Sequence, residues 1–333
     1  MVRPTLSMEA MMARNALVGP ERLKRMEKRQ SVVRWFTLYE PADRATRDEA
    51  PKISRPSTLY WSKIHRDLHF LSLAERHVAL LALYHPRVFD FHEQHVLERF
   101  EAPNPLSTLE EARHMNLPAL RGTVAVAEEL GMLTKHPILS IADPNGEHEP
   151  YRAAFPYVGD FLLALRDENG PYCVNWSVKA NRQDFFESAS RTRKASSFSS
   201  QLKLRYELER RYFADANIPT HFIASEDLDQ QLLANLNILC ARAQQPSRLN
   251  LAQEEHVISV LQKVVGTSTS PLALLDSLTN EVSCHRSEIV ATLYRAIWHR
   301  RIRVDLFRPI LVDKPLKREH EDVLLMYAHL FSR

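Results

Sequence analysis

A chain of 333 residues has room for two or three domains and a sizeable core, and it contains no apolar run long enough to span a membrane. Lys and Arg outnumber Asp and Glu only 44 to 41, so net charge alone names no nucleic-acid partner. Cys173, Cys240 and Cys284 are too scattered for a disulfide framework or a CxxC zinc clip, and none of the seven glycines opens a GxxxxGK phosphate loop. The N-terminus lacks the apolar segment of a secretory signal, which points to the cytoplasm.

In chain order, residues 1–55 read as a basic extension. The stretch from Glu21 to Gln30 is a highly charged helix, and Pro41, Pro51 and Pro56 interrupt anything longer. The expectation is a solvated helix and linker. Residues 63–70 suit a strand, after which Ser72 and Glu75 match a capping box opening a helix. Leu73, His77, Leu80, Leu81 and Tyr84 give that helix its apolar spacing, and Pro86 follows its end. Arg87 to Val96 reads as a further strand. Residues 100–156 form a long connection with a helical piece from Arg121 to Leu133.

The most informative stretch is Phe155 to Ala180. Phe161, Leu163 and Leu165 alternate as a strand, residues 167–171 are dense in turn formers, and Cys173, Val174, Trp176 and Val178 make a second strand. Such a hairpin brings Asp160, near the start of one strand, beside Lys179, near the end of the other. A carboxylate beside a lysine is the minimum equipment for metal-dependent phosphodiester cleavage. The acid holds a hard cation, and the ammonium orients water or stabilises charge on the phosphate. As an isolated pair it reads first as an ordinary charged surface hairpin, and a third component is needed to change that. A second carboxylate is available at Glu75, if it projects from the first helical turn toward the sheet. Further on, Arg191, Arg193, Lys194 and Lys203 form a basic loop and helix start suited to phosphate contacts.

Beyond Glu226 the pattern is helical: Leu228 to Ala241, Leu251 to Val265, a short helix after Ser270-Pro271, and Ser287 to Arg300. Ile302, Val304 and Leu306 then alternate as a strand, completing a winged-helix pattern, with Arg300, Arg301 and Arg303 placed for DNA-backbone contacts. A small helical bundle that touches only protein is the alternative. Residues 314–333 read as an exposed amphipathic tail for a partner.

The order of a helix Glu, a strand Asp and a strand x-x-Lys resembles the PD-(D/E)xK nuclease superfamily. More narrowly, it resembles the TnsA-type endonuclease subunit of heteromeric, Tn-seven-type bacterial transposons. His69-Phe-Leu-Ser-Leu-Ala-Glu75 is similar to that family's F-E-S-x-x-E helix entry, and Val88-Phe-Asp-Phe-His-Glu-Gln94 to its V-x-x-I-x-E-Q strand. Leu204-Arg-Tyr-Glu-Leu-Glu-Arg-Arg-Tyr-Phe213 and Ile218-Pro-Thr-His-Phe-Ile-Ala224 resemble its second long helix and closing strand. There are two departures. Gly159 stands where the family has Pro, loosening a turn, and Ser177 stands where the (D/E/Q)xK element has a carboxylate or amide.

The resemblance implies a restriction-endonuclease-like α/β domain over residues 56–225, with 100–156 as an insertion, then a mostly helical winged-helix domain over 226–313 and a partner-binding tail. It implies Glu75 and Asp160 as ligands of Mg²⁺ (or Mn²⁺), with Ser177 and Lys179 completing the catalytic set. The expected activity is cleavage of the strand giving the 5′ ends of a transposon. The expected partners are transposon-end DNA, a DDE-class transposase and an AAA+ ATPase, in the bacterial cytoplasm and at the nucleoid when active. The competing expectation is a catalytically weak or inactive subunit bridging those partners, which Ser177 favours.

Overall fold

The computed structural model describes residues 19–52, 54–141, 151–186 and 195–333. Helix α1 (Pro20–Gln30) starts on a proline whose missing N–H costs nothing at that position, and it buries Leu23 and Met26 one turn apart. The chain then runs along the outer edge of a long strand. The Gln30 side-chain amide donates to the Gln94 carbonyl at 3.1 Å and accepts from the Val96 N–H at 2.7 Å, in the manner of a neighbouring strand. Ala42 N–H also donates to Gln94 O, and Phe36 N–H to the Asp90 carboxylate. This segment therefore covers a sheet edge that would otherwise be open to pairing with other chains. From residue 20 onward the expected solvated extension is part of the fold.

Strands β1 (Ser57–Trp61) and β2 (Arg66–Phe70) form a hairpin, and α2 (Leu73–Tyr84) follows. Helix α2 is buried nearly all round: Val78, Ala79, Leu80, Leu81 and Ala82 are all inaccessible, because the helix lies between the sheet and the C-terminal helices. The expected single apolar face was too narrow, and Leu73, assigned to it, is 43% exposed. Next come β3 (Val88–Leu97), α3 (Thr123–Glu129) and a hairpin of β4 (Ile138–Ile141) and β5 (Tyr151–Ala154). After them come β6 (Tyr157–Asp167), β7 (Gly170–Lys179), α4 (Ala195–Ala214) and β8 (Thr220–Ala224).

The main sheet has the order β3-β6-β7-β8, antiparallel except for the last pair. A parallel partner for β7 requires a crossover, and α4 supplies it. Both faces are covered, so alternate residues of β6 point into different cores. Phe161, Leu163 and Leu165 meet α2 and the C-terminal helices, whereas Leu162 and Ala164 share a cluster with Leu208, Tyr212 and Phe213 of α4. Leu106, Leu109, Leu120 and Val126, from the expected insertion, fill out that second cluster.

Helices α5 (Gln230–Ala243), α6 (Leu251–Lys263), α7 (Leu275–Val282) and α8 (Arg286–Trp298) form the helical part. One hydrophobic cluster runs without a break from Trp61 through the sheet and these helices to Phe331. Ile302, Val304 and Leu306 are buried in alternation as expected, yet they pair only through a Val304–Arg318 bridge rather than as a strand. The C-terminal residues, with the short α9 (Val323–Met326), turn back onto the sheet. Trp176 Nε1 donates to Leu330 O at 2.7 Å and Tyr172 OH to Phe331 O at 2.9 Å, while Arg333 pairs with Asp167. The expected exposed tail thus buries Val323, Leu330 and Phe331 in its own chain and leaves Leu325, at 76% exposed, as its main apolar surface. Among the described residues no helix is long and apolar enough to cross a membrane.

Candidate active site

Glu75 sits in the first turn of α2. The Ser72 hydroxyl accepts from Glu75 N–H at 3.2 Å and donates back to its Oε1 at 2.9 Å, while Oε2 accepts from Leu71 N–H at 2.8 Å. The capping expectation is met with one change: the carboxylate returns to the amide of residue 71 rather than to that of the cap. Gln94, on β3, adds a third bond to the carboxylate, Nε2 to Oε2 at 3.1 Å. Capping therefore holds the carboxylate in place, buried at 8% exposure, without removing it from the sheet.

Asp160 lies on β6 one residue before the Phe161–Trp176 register pair, so it faces Ser177. Val178 N–H donates to its Oδ2 at 2.6 Å, the Ser177 hydroxyl stands 3.5 Å away, and Lys179 Nζ approaches the same oxygen at 3.7 Å. Lys179 also donates to Val178 O at 2.8 Å. The hairpin therefore brings Asp160 and Lys179 together as the sequence predicts.

Burial, and next the Asp160 charge, push the Glu75 pKa up to about 7, partly offset by its hydrogen bonds and by Lys179. The Asp160 charge thus reaches Glu75. Burial alone would lower the Lys179 pKa, but the Asp160 carboxylate and Tyr206 outweigh it, and the net shift is upward. The amine is a cation at neutral pH.

Three residues of the site escaped the sequence reading. Gln94 has a left-handed backbone (φ 50°) inside a strand, an unusual conformation for a residue with a side chain, and its carboxamide reaches Glu75. Glu209 of α4 is 1% exposed and accepts from Asn175 Nδ2 at 3.0 Å. Its pKa is raised by burial, opposed by Arg205 and supported by the Asp160 charge. Its Oε2 accepts no hydrogen bond and stands 3.9 Å from the Arg205 guanidinium.

The third is His95, opposite Gly159 in the β3–β6 register. Its ring is buried, and burial together with His92 pushes its pKa down to about 3. Neither ring nitrogen is hydrogen-bonded. A Cβ built on Gly159 would meet that ring at 2.3 Å. Gly159 therefore loosens no turn, contrary to expectation. It lies within a strand, and the space its side chain would need is filled by His95. The E-Q pair at 93–94 and the acids in the R-Y-E-L-E run at 205–209 were visible as text, but no local spacing points them at Asp160.

A hard cation fits Glu75 and Asp160 in one respect: it would relieve the repulsion that raises the Glu75 pKa, and two carboxylates suffice for Mg²⁺ when water and phosphate complete its shell. Ser177 is 2% exposed and brings no charge. Among the described residues no group of three or more His, Cys, Asp or Glu is gathered as a metal-binding set.

Of the residues assigned to DNA, Arg191, Arg193 and Lys194 lie outside the described residues, and Lys203 is exposed on α4. Arg300, Arg301 and Arg303 sit elsewhere. Arg300 stacks over Tyr84 at the far end of α2, about 14 Å along the helix from Glu75. All three pair with acids of the same chain, Asp322, Glu255 and Asp322 with Glu319 respectively.

No family model matches the chain, and no curated protein matches it in sequence.

Proposed function

We propose that the protein is a metal-dependent DNA endonuclease of the TnsA type, cutting the strand that gives 5′ ends at transposon ends. The observation that carries this reading is convergence: Asp160 and Lys179 stand 3.7 Å apart on adjacent antiparallel strands, and Glu75, at a helix N-terminus, lies within reach of both their charges. The surrounding order of helix, three antiparallel strands, crossover helix and parallel strand supports it. So does the resemblance of the texts around these residues.

In this reading Glu75 and Asp160 hold Mg²⁺ or Mn²⁺. A cation bound there supplies Lewis-acid charge to the scissile phosphate and the attacking water. The Lys179 ammonium orients that water or stabilises the charge that develops on the phosphate oxygens. Val178 N–H fixes the Asp160 carboxylate, and Gln94 with Ser72 fixes Glu75, so both ligands are oriented before substrate arrives. The helical part, read as a winged helix, would serve docking to a DDE-class transposase, an AAA+ ATPase and DNA.

The test is nicking of an end-labelled transposon end by the full chain, with and without those partners, in Mg²⁺ and in EDTA. Nicking that needs both Mg²⁺ and the partners is the expected result. A second reading, a non-catalytic bridging subunit, is favoured by the uncharged, buried Ser177 and by the lack of a third carboxylate ligand among the described residues. Absence of nicking in Mg²⁺ and Mn²⁺ with every partner present would decide for it.

A further inference from the structure

Beside Lys179 the sheet ends in an aromatic pocket that the proposed chemistry does not use. Phe222 of β8 stands level with Ser177 in the parallel register, and Ala224 with Lys179. Phe222, Phe185 and Tyr206 pack edge to face at centroid distances of 5.2 to 5.6 Å. The Lys179 amine lies 5.9 Å from the Phe185 and Tyr206 ring centroids, so the pocket begins where the candidate active site ends.

The cavity measures about 470 Å³, within the range of pockets that take small planar ligands. Phe186 and Phe222 remain 52% and 39% exposed, and both line it. Aromatic rings left open to water at the edge of a sheet are a binding surface in search of an occupant.

The charge around the pocket selects that occupant. The rim acids Asp227 and Glu207 are neutralised by Arg182 and Arg210, Lys203 stands exposed beside them, and Lys179, just outside the lining, lies 5.9 Å from the Phe185 and Tyr206 ring centroids. Cations at both ends of an aromatic wall suit a ligand with a flat apolar body and negative charge on either side. A nucleotide within a strand has that form.

We infer that this pocket takes an unpaired nucleobase of the DNA strand next to the scissile phosphate, stacking it on Phe222 and Phe186 while Lys179 meets the phosphate. The inference rests on the nuclease reading above and adds a preference to it: the protein favours DNA whose end is frayed or locally unpaired over an intact duplex. Base–aromatic stacking tolerates any sequence, since every base has a π-face.

The test uses the full chain in EDTA, where no strand is cut. Duplex DNA with a short unpaired end carrying 2-aminopurine is compared with its fully paired equivalent. The expected result is quenching of the 2-aminopurine on binding and about tenfold tighter binding of the unpaired end. Phe222→Leu should abolish both the quenching and the preference while still binding paired DNA, and Phe222→Trp should keep them. If Phe222→Leu fails to fold, Phe186→Ala, at an exposed site, carries the same comparison. Equal affinity for the two DNAs, or a preference untouched by either variant, overturns the pocket assignment alone. Binding to neither DNA also overturns the pocket assignment, whereas the nuclease reading falls only on the nicking test with every partner present.

Discussion

The cleft around Asp160 and the arginine cluster around residue 300 are both charged, and both stand out in the sequence. They differ in what the charge is doing. Each arginine of the cluster is neutralised within the chain: Arg300 meets Asp322 at 2.7 Å, Arg301 meets Glu255 at 2.5 Å, and Arg303 meets Asp322 at 2.8 Å. At the candidate site, Glu75 and Glu209 both have pKa values raised, first by burial, and the Asp160 charge adds to each. Lys179 and Arg205 are the cations among them. A matched surface cluster has little left to offer a ligand. A buried group of like charges is held at a cost, which a cation or a phosphate–cation pair would relieve.

The strongest way to break this contrast is to remove charge from the cleft. Asp160→Ala and Lys179→Ala should each lower 5′ nicking by several orders of magnitude, since each 1.4 kcal/mol of lost stabilisation is about tenfold in rate. Melting temperatures should change little for Lys179→Ala, whose side chain is about a third exposed. Normal nicking by either variant would leave the cleft as a structural ion pair.

Glu75 gives the next effect, through pH. Its pKa is raised from 4.5 to about 7 in the folded chain, so as pH rises through that window the unfolded chain gives up its proton first. Stability should therefore fall from about pH 4.5 to about pH 7, by on the order of 3 kcal/mol. Glu75→Gln should flatten that slope in denaturant titrations and also abolish nicking. For the wild type, the Mg²⁺ needed for half-maximal nicking should drop over the same range as the ligand ionises. A pH slope unchanged in Glu75→Gln would mean that the carboxylate is not strained by its neighbour.

Gly159 sharpens the comparison from the packing side. Gly159→Ala should destabilise the fold by about 1–3 kcal/mol, because the new methyl meets the His95 ring. In the His95→Ala background the same change should cost far less, and the coupling can be read from chemical denaturation of the four proteins. Additive effects would show that the ring moves freely and that the glycine has another cause.

The smallest effect is expected where the charge is already matched. Neutralising Arg300, Arg301 and Arg303 together should shift the salt dependence of DNA binding by less than the three phosphate contacts their number suggests. The main change should be a lower melting temperature, led by the half-buried Arg300–Asp322 pair. A salt slope reduced by about three would mean that these pairs open to meet DNA.

Local features are legible in the residues themselves. Period-two apolar spacing defines the strand at Phe161, Leu163 and Leu165, turn residues define the hairpin, and that hairpin sets Asp160 beside Lys179, because strand length and turn position fix register. The Ser72–Glu75 cap likewise lies within one turn of helix. Each of these features is contained in a short, continuous stretch of chain.

What tertiary structure decided are the contacts whose partners lie far apart in the chain. Gln94 joins Glu75 only because β3 packs beside the start of α2, and Glu209 meets Asn175 only because α4 crosses the sheet to reach β8. The N-terminal segment covers the β3 edge, and the last residues lock onto Trp176, although both stretches read as extensions. Whether Arg300, Arg301 and Arg303 face solvent or an acid was equally invisible, since their partners Asp322, Glu255 and Glu319 lie 22, 46 and 16 residues away and only tertiary packing brings them into range. Periodicity records which side of an element is apolar. Which distant group meets that side is settled when loops close and surfaces pack, and at Gly159 it rests on the bulk of one imidazole ring from another strand.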